Sequence, residues 1–246
     1  MKFEEKIKDK YLYSNGLNFF KFFYFLYMYI KSKKILKSKI FYSNWGIDML
    51  ADEFFKKKVN GFYIDVGCHQ PLLNNNTYRL YKRGWRGINI DLDYNTIDMF
   101  NFFRKKDLNI HAAVSNKIEE KNLYFFHNRS PVNTLSKDSG IKAKEIRKIK
   151  TTTLNNIIDA SKYRGKEIDF ISIDVEGFEL NVLEGLDFEK YKPKLVVLEL
   201  IDPSIKEFHQ QKLSNVLNSQ INKFMEKQNY KLVNWIHDDL VYVPLR

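Results

Sequence analysis

A single cysteine, Cys68, stands in a chain of 246 residues, which excludes an intrachain disulfide and a cysteine-rich zinc site. The five prolines and ten glycines never gather into a linker, and no internal repeat is visible. No apolar run reaches the roughly 20 residues that a bilayer-crossing helix needs. The longest, residues 17–30 (LNFFKFFYFLYMYI), stops short and is interrupted by Lys21. A secretory signal is not expected, because the first residues mix acid with base and no small-residue cleavage site follows. The glycine-rich turn of a dinucleotide site is missing too. After "GFYIDVG" (61–67) the chain continues with Cys68, His69, Gln70 and Pro71, where a pyrophosphate-binding loop wants two more glycines.

What remains is a core-forming composition, 44% hydrophobic and 15% aromatic, with a formal net charge of +11. The charge is uneven. Residues 1–58 hold 13 Lys against 6 Asp+Glu, and the other 188 residues hold 28 Lys+Arg against 24 Asp+Glu. A basic arm of this kind suits anionic lipid, nucleic acid or an acidic partner; a background rich in Lys, Asn and Ile gives the same count. Outside that arm no nucleic-acid-binding motif is present, and nucleic acid is not expected as a partner. Two readings of residues 17–39 stand. One is a helix packed on the domain or at a dimer contact. The other is an aromatic helix with a lysine flank, lying peripherally in a membrane interface. The lone thiol suits a reducing compartment, so the expected location is cytoplasmic, with or without membrane contact.

From residue 60 the pattern alternates. Strands are expected at 61–67, 87–91 (GINID), 108–116 (LNIHAAVSN), 167–177 (EIDFISIDVEG) and 194–200 (KLVVLEL). Helices are expected at 76–84, capped by Asn76 or Thr77 and stopped by Gly84, at 94–106, at 178–186 and over 205–228. Residues 121–128 read as an extra strand, and 137–150 as a polar helix or lid. "YKLVNWI" and "LVYVPL" flank His237, Asp238 and Asp239 as a closing hairpin. Near-continuous apolar strands alternating with helices predict an α/β fold: a doubly wound, mostly parallel sheet over 56–246, with a C-terminal antiparallel hairpin and an N-terminal helical extension over 1–55.

Acids end four strands: Asp65, Asp91, Asp174 and Glu199. Ligands of open α/β sheets bind at those carboxyl ends. One acid at a strand end is an ordinary solvated or capping residue, whereas four on one edge point to a site. Asp91 lies 26 residues after Asp65, close to the spacing at which an acid accepts hydrogen bonds from ribose hydroxyls. Without phosphate-binding glycines, the fitting cofactor has a ribose and no phosphate. S-adenosylmethionine has both properties, and its cationic tail favours carboxylates over a row of amide donors.

"YIDVGCHQPLLNNNTYRLYKRGWRGINIDLD" (63–93), "AAVSN" (112–116) and "IDFISIDVEGFELNVLEGLDFEKYKPKLVVLEL" (168–200) resemble the FkbM-type methyltransferases over roughly residues 60–200. The resemblance implies a Rossmann-like S-adenosylmethionine fold and methyl transfer, usually to a hydroxyl oxygen. By position it puts Asp65 and Gly67 at the methionine end, with Cys68, Asn76 and Thr77 also among the cofactor-binding residues. Asp91 falls at the ribose, Ala113, Val114 and Ser115 at the adenine, and Asp174 and Glu176 beside the transferred methyl. The turn at 68–71 and Asn75 depart from the commoner family pattern.

An alcohol is a poor nucleophile while protonated, so a carboxylate base is needed nearby. Asp174 and Glu176, alternating along an extended segment, would share a side. One acts as base while the other orients it or holds a sugar hydroxyl. With Glu199 they would instead form a hard oxygen set for a divalent cation. In the plainest reading they only order the loop. His69 reads as a base or a backbone-bonded turn residue, His111 as a core residue, Cys68 as a small buried side chain, and Tyr81 with Trp85 as helix–sheet packing. The acceptor expected on these grounds is a sugar, glycan or lipid-linked saccharide, or another small hydroxylic molecule. A non-catalytic scaffold on the same fold and a binding protein that uses the basic arm are the alternatives.

Overall fold

Phe62–Val66 (FYIDV) is buried along its whole length, as a central strand covered on both faces must be. In this computed structural model, which describes residues 18–36, 41–137, 142–200 and 212–245, that segment is β1. It pairs in parallel with β2 (Arg86–Asp91) on one side and β7 (Phe170–Ile173) on the other, placing Ile64 opposite both Ile88 and Ile171. The seven-stranded order is β3-β2-β1-β7-β8-β10-β9, with β3 at Leu108–His111, β8 at Leu195–Glu199, β9 at Tyr230–Ile236 and β10 at Asp239–Pro244. The sheet grows one way from β1 and the other way from β7. Between them lies the switch point, outside whose carboxyl ends a crevice opens. Only β10 runs against the others, pairing antiparallel with both β8 and β9, as the hairpin pattern predicts.

Alternation sorts the core into two layers. Phe62, Ile64, Val66, Ile88, Ile90, Ile171, Ile173, Val196 and Leu198 pack with α5 (Leu154–Asp159), α6 (Glu179–Glu184), α7 (Phe188–Tyr191) and α9 (Gln220–Lys227). Tyr63, Phe170, Leu195 and Val197 pack with Trp85, α2 (Ile47–Phe54) and α3 (Tyr78–Lys82). Trp85 is wholly buried, as expected of helix–sheet packing. Ile47 and Ala51 are buried as well, so α2, inside the expected 1–55 extension, contributes to the core.

Beneath β1 on the α3 side lies a buried polar network centred on Arg104. Its guanidinium donates to Asp107 (3.0 Å), Asn75 (3.1 Å), Thr77 (3.0 Å) and the Tyr63 hydroxyl. Thr77 and Asn75 donate to Asp65 (2.8 and 2.9 Å). Burial pushes the Asp65 carboxyl up despite the nearby Arg104. A satisfied network of this kind fixes the loop at 74–77 under the end of β1. Removing the cation would leave buried acids uncompensated, so Arg104→Met should lower stability by about 3–5 kcal/mol. A denaturant midpoint indistinguishable from wild type would contradict this.

Several elements differ from the sequence pattern. The strand expected over 108–116 breaks at Ala112: β3 stays in the main sheet and β4 (Ala113–Val114) enters a second sheet, ordered β4-β6-β5. Its member β5 (Glu120–Phe125) is the extra strand expected over 121–128, while β6 (Glu145–Thr152) replaces the helix or lid expected over 137–150, of which residues 138–141 lie outside the described ones. Cross-strand pairing decides the outcome there. Glu120 faces Lys150, and the Arg147 guanidinium sits 3.5 Å over the Phe125 ring, on a strand too exposed to show an apolar period. Within the helix expected over 205–228, residues 205–211 are likewise outside the described ones. The rest is split at Ser219 into α8 (Leu213–Asn218) and α9. Ser219 is extended (φ −63°, ψ 153°), and its hydroxyl accepts from Asn222 N (3.1 Å) as a cap. The N-terminal helix α1 (Asn18–Leu36) packs Tyr24, Phe25 and Met28 on Met99, Phe102 and Phe103 of α4 (Tyr94–Phe103), with Lys21 paired to Asp98 (3.1 Å). Among the described residues no helix is long and apolar enough to cross a membrane.

Candidate active site

At the end of β1 the chain turns sharply at Gly67 (φ 75°), whose amide and that of Cys68 donate to Ile90 O (2.9 and 3.2 Å). A Cβ on Gly67 would lie 1.7 Å from the carbonyl oxygen of Asp174. The turn after β1 and the acid-bearing turn after β7 are therefore in backbone contact, and only glycine permits it. Gly67→Ala should push the two turns apart and weaken cofactor binding by roughly tenfold or more. Unchanged affinity for S-adenosylhomocysteine would contradict that. At the end of β2, Asp91 accepts from His69 N (3.0 Å) and Asp93 N (2.8 Å). Both amides point its carboxylate toward the crevice, and burial pushes it up to about 7.

The crevice is a cavity of about 330 Å³, within the range of small-ligand sites. Gly67, Asp91, Ala113, Val114, Asp174 and Glu176 all border it, brought together from the ends of β1, β2, β4 and β7. No lysine or arginine is in its wall among the described residues. At one end the carboxylates of Asp174, Glu176 and Glu199 each offer an oxygen within 4.8 Å of the others. Burial, followed by Asp174 and other acids, pushes Glu176 up to about 8. Burial raises Asp174, and burial with the Asp174 charge raises Glu199 well above the usual carboxylate range, as two carboxyls close together disfavour a second negative charge. Asp239, opposite Glu199 in the β8–β10 register, is pushed up to about 7 by burial and then by Asp174 and Asp238.

The segment 174–177 is a turn, not the extended run that the alternation of Asp174 and Glu176 suggests. Glu176 is left-handed (φ 59°). Thr134 donates to the carbonyls of Val175 (3.2 Å) and Glu176 (2.9 Å), and Glu179 accepts from the amides of Val175 (3.0 Å) and Gly177 (3.1 Å). Strained backbone held from both sides is a mark of functional turns. Thr134 and Glu179 were not visible in the sequence as its anchors, because each acts through tertiary contact or through backbone.

Five residues expected at the cofactor lie outside the cavity wall. Asp65 points to the Arg104 side of β1, since alternation sends Ile64 and Val66 the other way. Thr77, fully buried, bonds Asp65 and Arg104. Asn76 donates to Ser172 Oγ (3.0 Å). Cys68 is buried against Ile97 and Phe100, and burial pushes its thiol up, in keeping with a packing role. Ser115 is fully buried, its amide donating to Thr152 O (2.8 Å). In turn the wall takes Ser130, Asn133 and Leu135 from the loop before residue 138, and Phe178 from the acid turn. Polar composition was the only sequence signal for that loop. His69 (φ 43°) serves through its backbone amide. His111, expected in the core, is exposed at the end of β3, with Nε2 2.9 Å from Leu92 O.

The residues fit S-adenosylmethionine. An acid faces the crevice where ribose hydroxyls need an acceptor, apolar Ala113, Val114 and Leu92 offer walls for a flat base, and the opposite end is anionic, as a cationic sulfonium and ammonium prefer. No curated protein matches the chain in sequence. Among solved structures, a TehB-like SAM-dependent methyltransferase from Corynebacterium glutamicum is similar at 12% identity, covering 88% of this chain and 96% of that one, with a TM-score of 0.44. An O-methyltransferase from Bacillus cereus in complex with SAH is similar at 10% identity, covering 98% and 96%, with a TM-score of 0.43. The family model described as the methyltransferase FkbM domain matches residues 65–232. That span is more than half of the chain and holds the turn after β1, the end of β2, the acid turn after β7 and Glu199, and so the chain belongs to the FkbM methyltransferase domain family, which uses S-adenosylmethionine.

Proposed function

We propose that the protein methylates a hydroxyl oxygen of a sugar, glycan or lipid-linked saccharide, with Glu176 as general base. The observation that carries the reading is the acid turn. It is pinned by Thr134 and Glu179, and it holds a carboxylate whose pKa of about 8 is close to what a general base at neutral pH needs. When bound, S-adenosylmethionine supplies a methyl carbon already activated on a sulfonium and leaves as a neutral thioether. The protein has to align an oxygen with that carbon and take its proton. Asp91 holds the ribose end, and Ala113 and Val114 flank the base. Glu176 accepts the hydroxyl proton as the oxygen–carbon bond forms, while the Asp174–Glu199 pair, sharing a proton, donates and accepts hydrogen bonds to a neighbouring hydroxyl. Trp45 favours a sugar. It is half-exposed, adjoins Asn44 of the cavity wall, and stacks on His237 (4.1 Å), which is paired with Asp238 (2.5 Å). An exposed ring beside carboxylates suits a polyhydroxylated ring with one apolar face.

A second reading follows from the same acids. Three oxygens within 4.8 Å would hold a hard divalent cation, which would displace the shared proton and lower the acceptor hydroxyl's pKa. Incubation with a labelled methyl donor and panels of saccharides, phenols, carboxylates and amines, with and without chelator, tests both. Transfer to saccharides regardless of chelator supports the base reading, and transfer abolished by chelator supports the cation. Transfer confined to amines or carboxylates would overturn the hydroxyl acceptor.

A further inference from the structure

Helix α1 is apolar on both sides, and the domain uses only one of them. Tyr24, Phe25 and Met28 face α4 and are buried. Phe22, Phe23, Leu26, Tyr27 and Ile30 recur three and four residues apart along the other side and are 38–60% exposed. Phe22 meets the Phe102 ring edge-on (centroids 6.2 Å) and still is about half-exposed. A helix hydrophobic all round belongs in a core or at a lipid boundary. At about 150–250 Å² per large side chain, these five leave on the order of 400 Å² of exposed ring and alkyl surface, the size at which a patch marks an interaction.

We propose that this face of α1 docks in the interface of an anionic membrane. Charge and area argue for lipid over a second copy of the chain. Residues 31–39 (KSKKILKSK) carry five lysines and no acid, and positions 33 and 34 fall three and four residues beyond Ile30 on the same helix. Lys105 and Lys106, exposed after α4, adjoin the patch, with the Lys105 ammonium 5.6 Å over the Phe102 ring. Two copies would bring these like charges together, whereas an anionic leaflet attracts each of them by about 1 kcal/mol. A patch of on the order of 400 Å² is also about half of what each partner contributes to a stable protein interface. The described helix is too short of apolar length to span, so it lies on the surface. Docking there bears on the site. The Tyr24 hydroxyl accepts from Arg129 Nη1 (2.8 Å), and the Arg129 amide donates to the Asp93 carboxylate. Ser130 and Asn133, just beyond, line the cavity. The membrane-facing helix is thus a strut for the loop that borders the crevice.

The test is co-sedimentation of the full chain with phosphatidylcholine vesicles and with vesicles in which part of the phosphatidylcholine is replaced by phosphatidylglycerol. The two are compared at low and high salt and repeated with Phe22→Ser, Phe23→Ser, Leu26→Gln and Ile30→Gln combined. All four side chains are exposed, and an unchanged thermal midpoint confirms that the variant is folded. The expected result is binding to the anionic vesicles, weakened by salt, absent with phosphatidylcholine alone, and reduced about tenfold or more by the variant. Wild-type protein that stays in the supernatant, or a variant that sediments as wild type does, overturns the proposal. So does sedimentation equilibrium showing a dimer that the same variant dissolves, since the patch would then be covered by a second copy.

Discussion

Glu176→Gln is expected to lower the methyl-transfer rate by roughly 10²–10⁴-fold, the usual contribution of a positioned general base. Binding of S-adenosylhomocysteine should change little. The substitution keeps the shape of the side chain and leaves the turn's anchors, Thr134 and Glu179, in place, because both bind its backbone. The loss should therefore appear in kcat and not in cofactor affinity. Rate–pH measurements sharpen the test. With its carboxyl raised to about 8, Glu176 is mostly protonated at neutral pH. The wild-type rate should climb about tenfold per pH unit below that value and level off above it. In the Gln variant this rise should vanish. Stability runs the other way. Glu176, Glu179 (raised to about 7, chiefly by burial) and Asp239 hold protons in the folded state more tightly than when unfolded. Their contribution is complete below the ordinary carboxylate pKa near 4 and is lost as pH rises through 7 to 8. The unliganded protein should melt at a higher temperature near pH 5 than near pH 9. A flat melting profile together with full activity of Glu176→Gln would remove the carboxylate from the base role and the acid end from this description.

Asp91→Ala should weaken S-adenosylhomocysteine binding by about 100-fold, from the loss of charge-assisted hydrogen bonds to the ribose. The fold should survive, since Asp91 belongs neither to the Arg104 network nor to an apolar cluster. The amides of His69 and Asp93 lose their acceptor in the variant, so part of the effect would come from a looser turn. Asp91→Asn separates the two contributions. It can still accept from one amide while offering the ribose a weaker partner, and an intermediate affinity is expected. Calorimetric titration of both variants gives the answer, and wild-type affinity in Asp91→Ala would sink the ribose assignment.

The sheet was legible because its signal is dense. Buried parallel strands such as "FYIDV" and "KLVVLEL" read as continuous apolar runs, and the hairpin at 230–245 shows alternation around a polar turn. The second sheet was hidden because β6 carries "EIRKIK" on an exposed strand, where cross-strand partners decide and periodicity does not. Of the residues read from sequence as site candidates, Gly67 at the close approach, Asp91 at the end of β2, and Asp174 and Glu176 after β7 all border the crevice. The candidates outside the wall are those whose side chains bond elsewhere. Asp65 sits one residue from the end of β1, where the pleat sends it into the Arg104 network. Asn76 and Thr77 read as a helix cap beside a ligand but are spent on Ser172 and Asp65. Helix α1 was ambiguous in sequence because both of its faces are apolar, and only packing shows which one the domain takes.

The most direct test of the account is calorimetric titration of the purified full chain with S-adenosylhomocysteine, with NAD titrated in parallel. The crevice has a carboxylate, Asp91, at the end of β2, an anionic far end and, among the described residues, no lysine or arginine in its wall for a pyrophosphate. Micromolar binding of the thioether with no heat from NAD is the predicted result. Folded protein that ignores S-adenosylhomocysteine, or that binds NAD as well or better, would contradict the account at its centre.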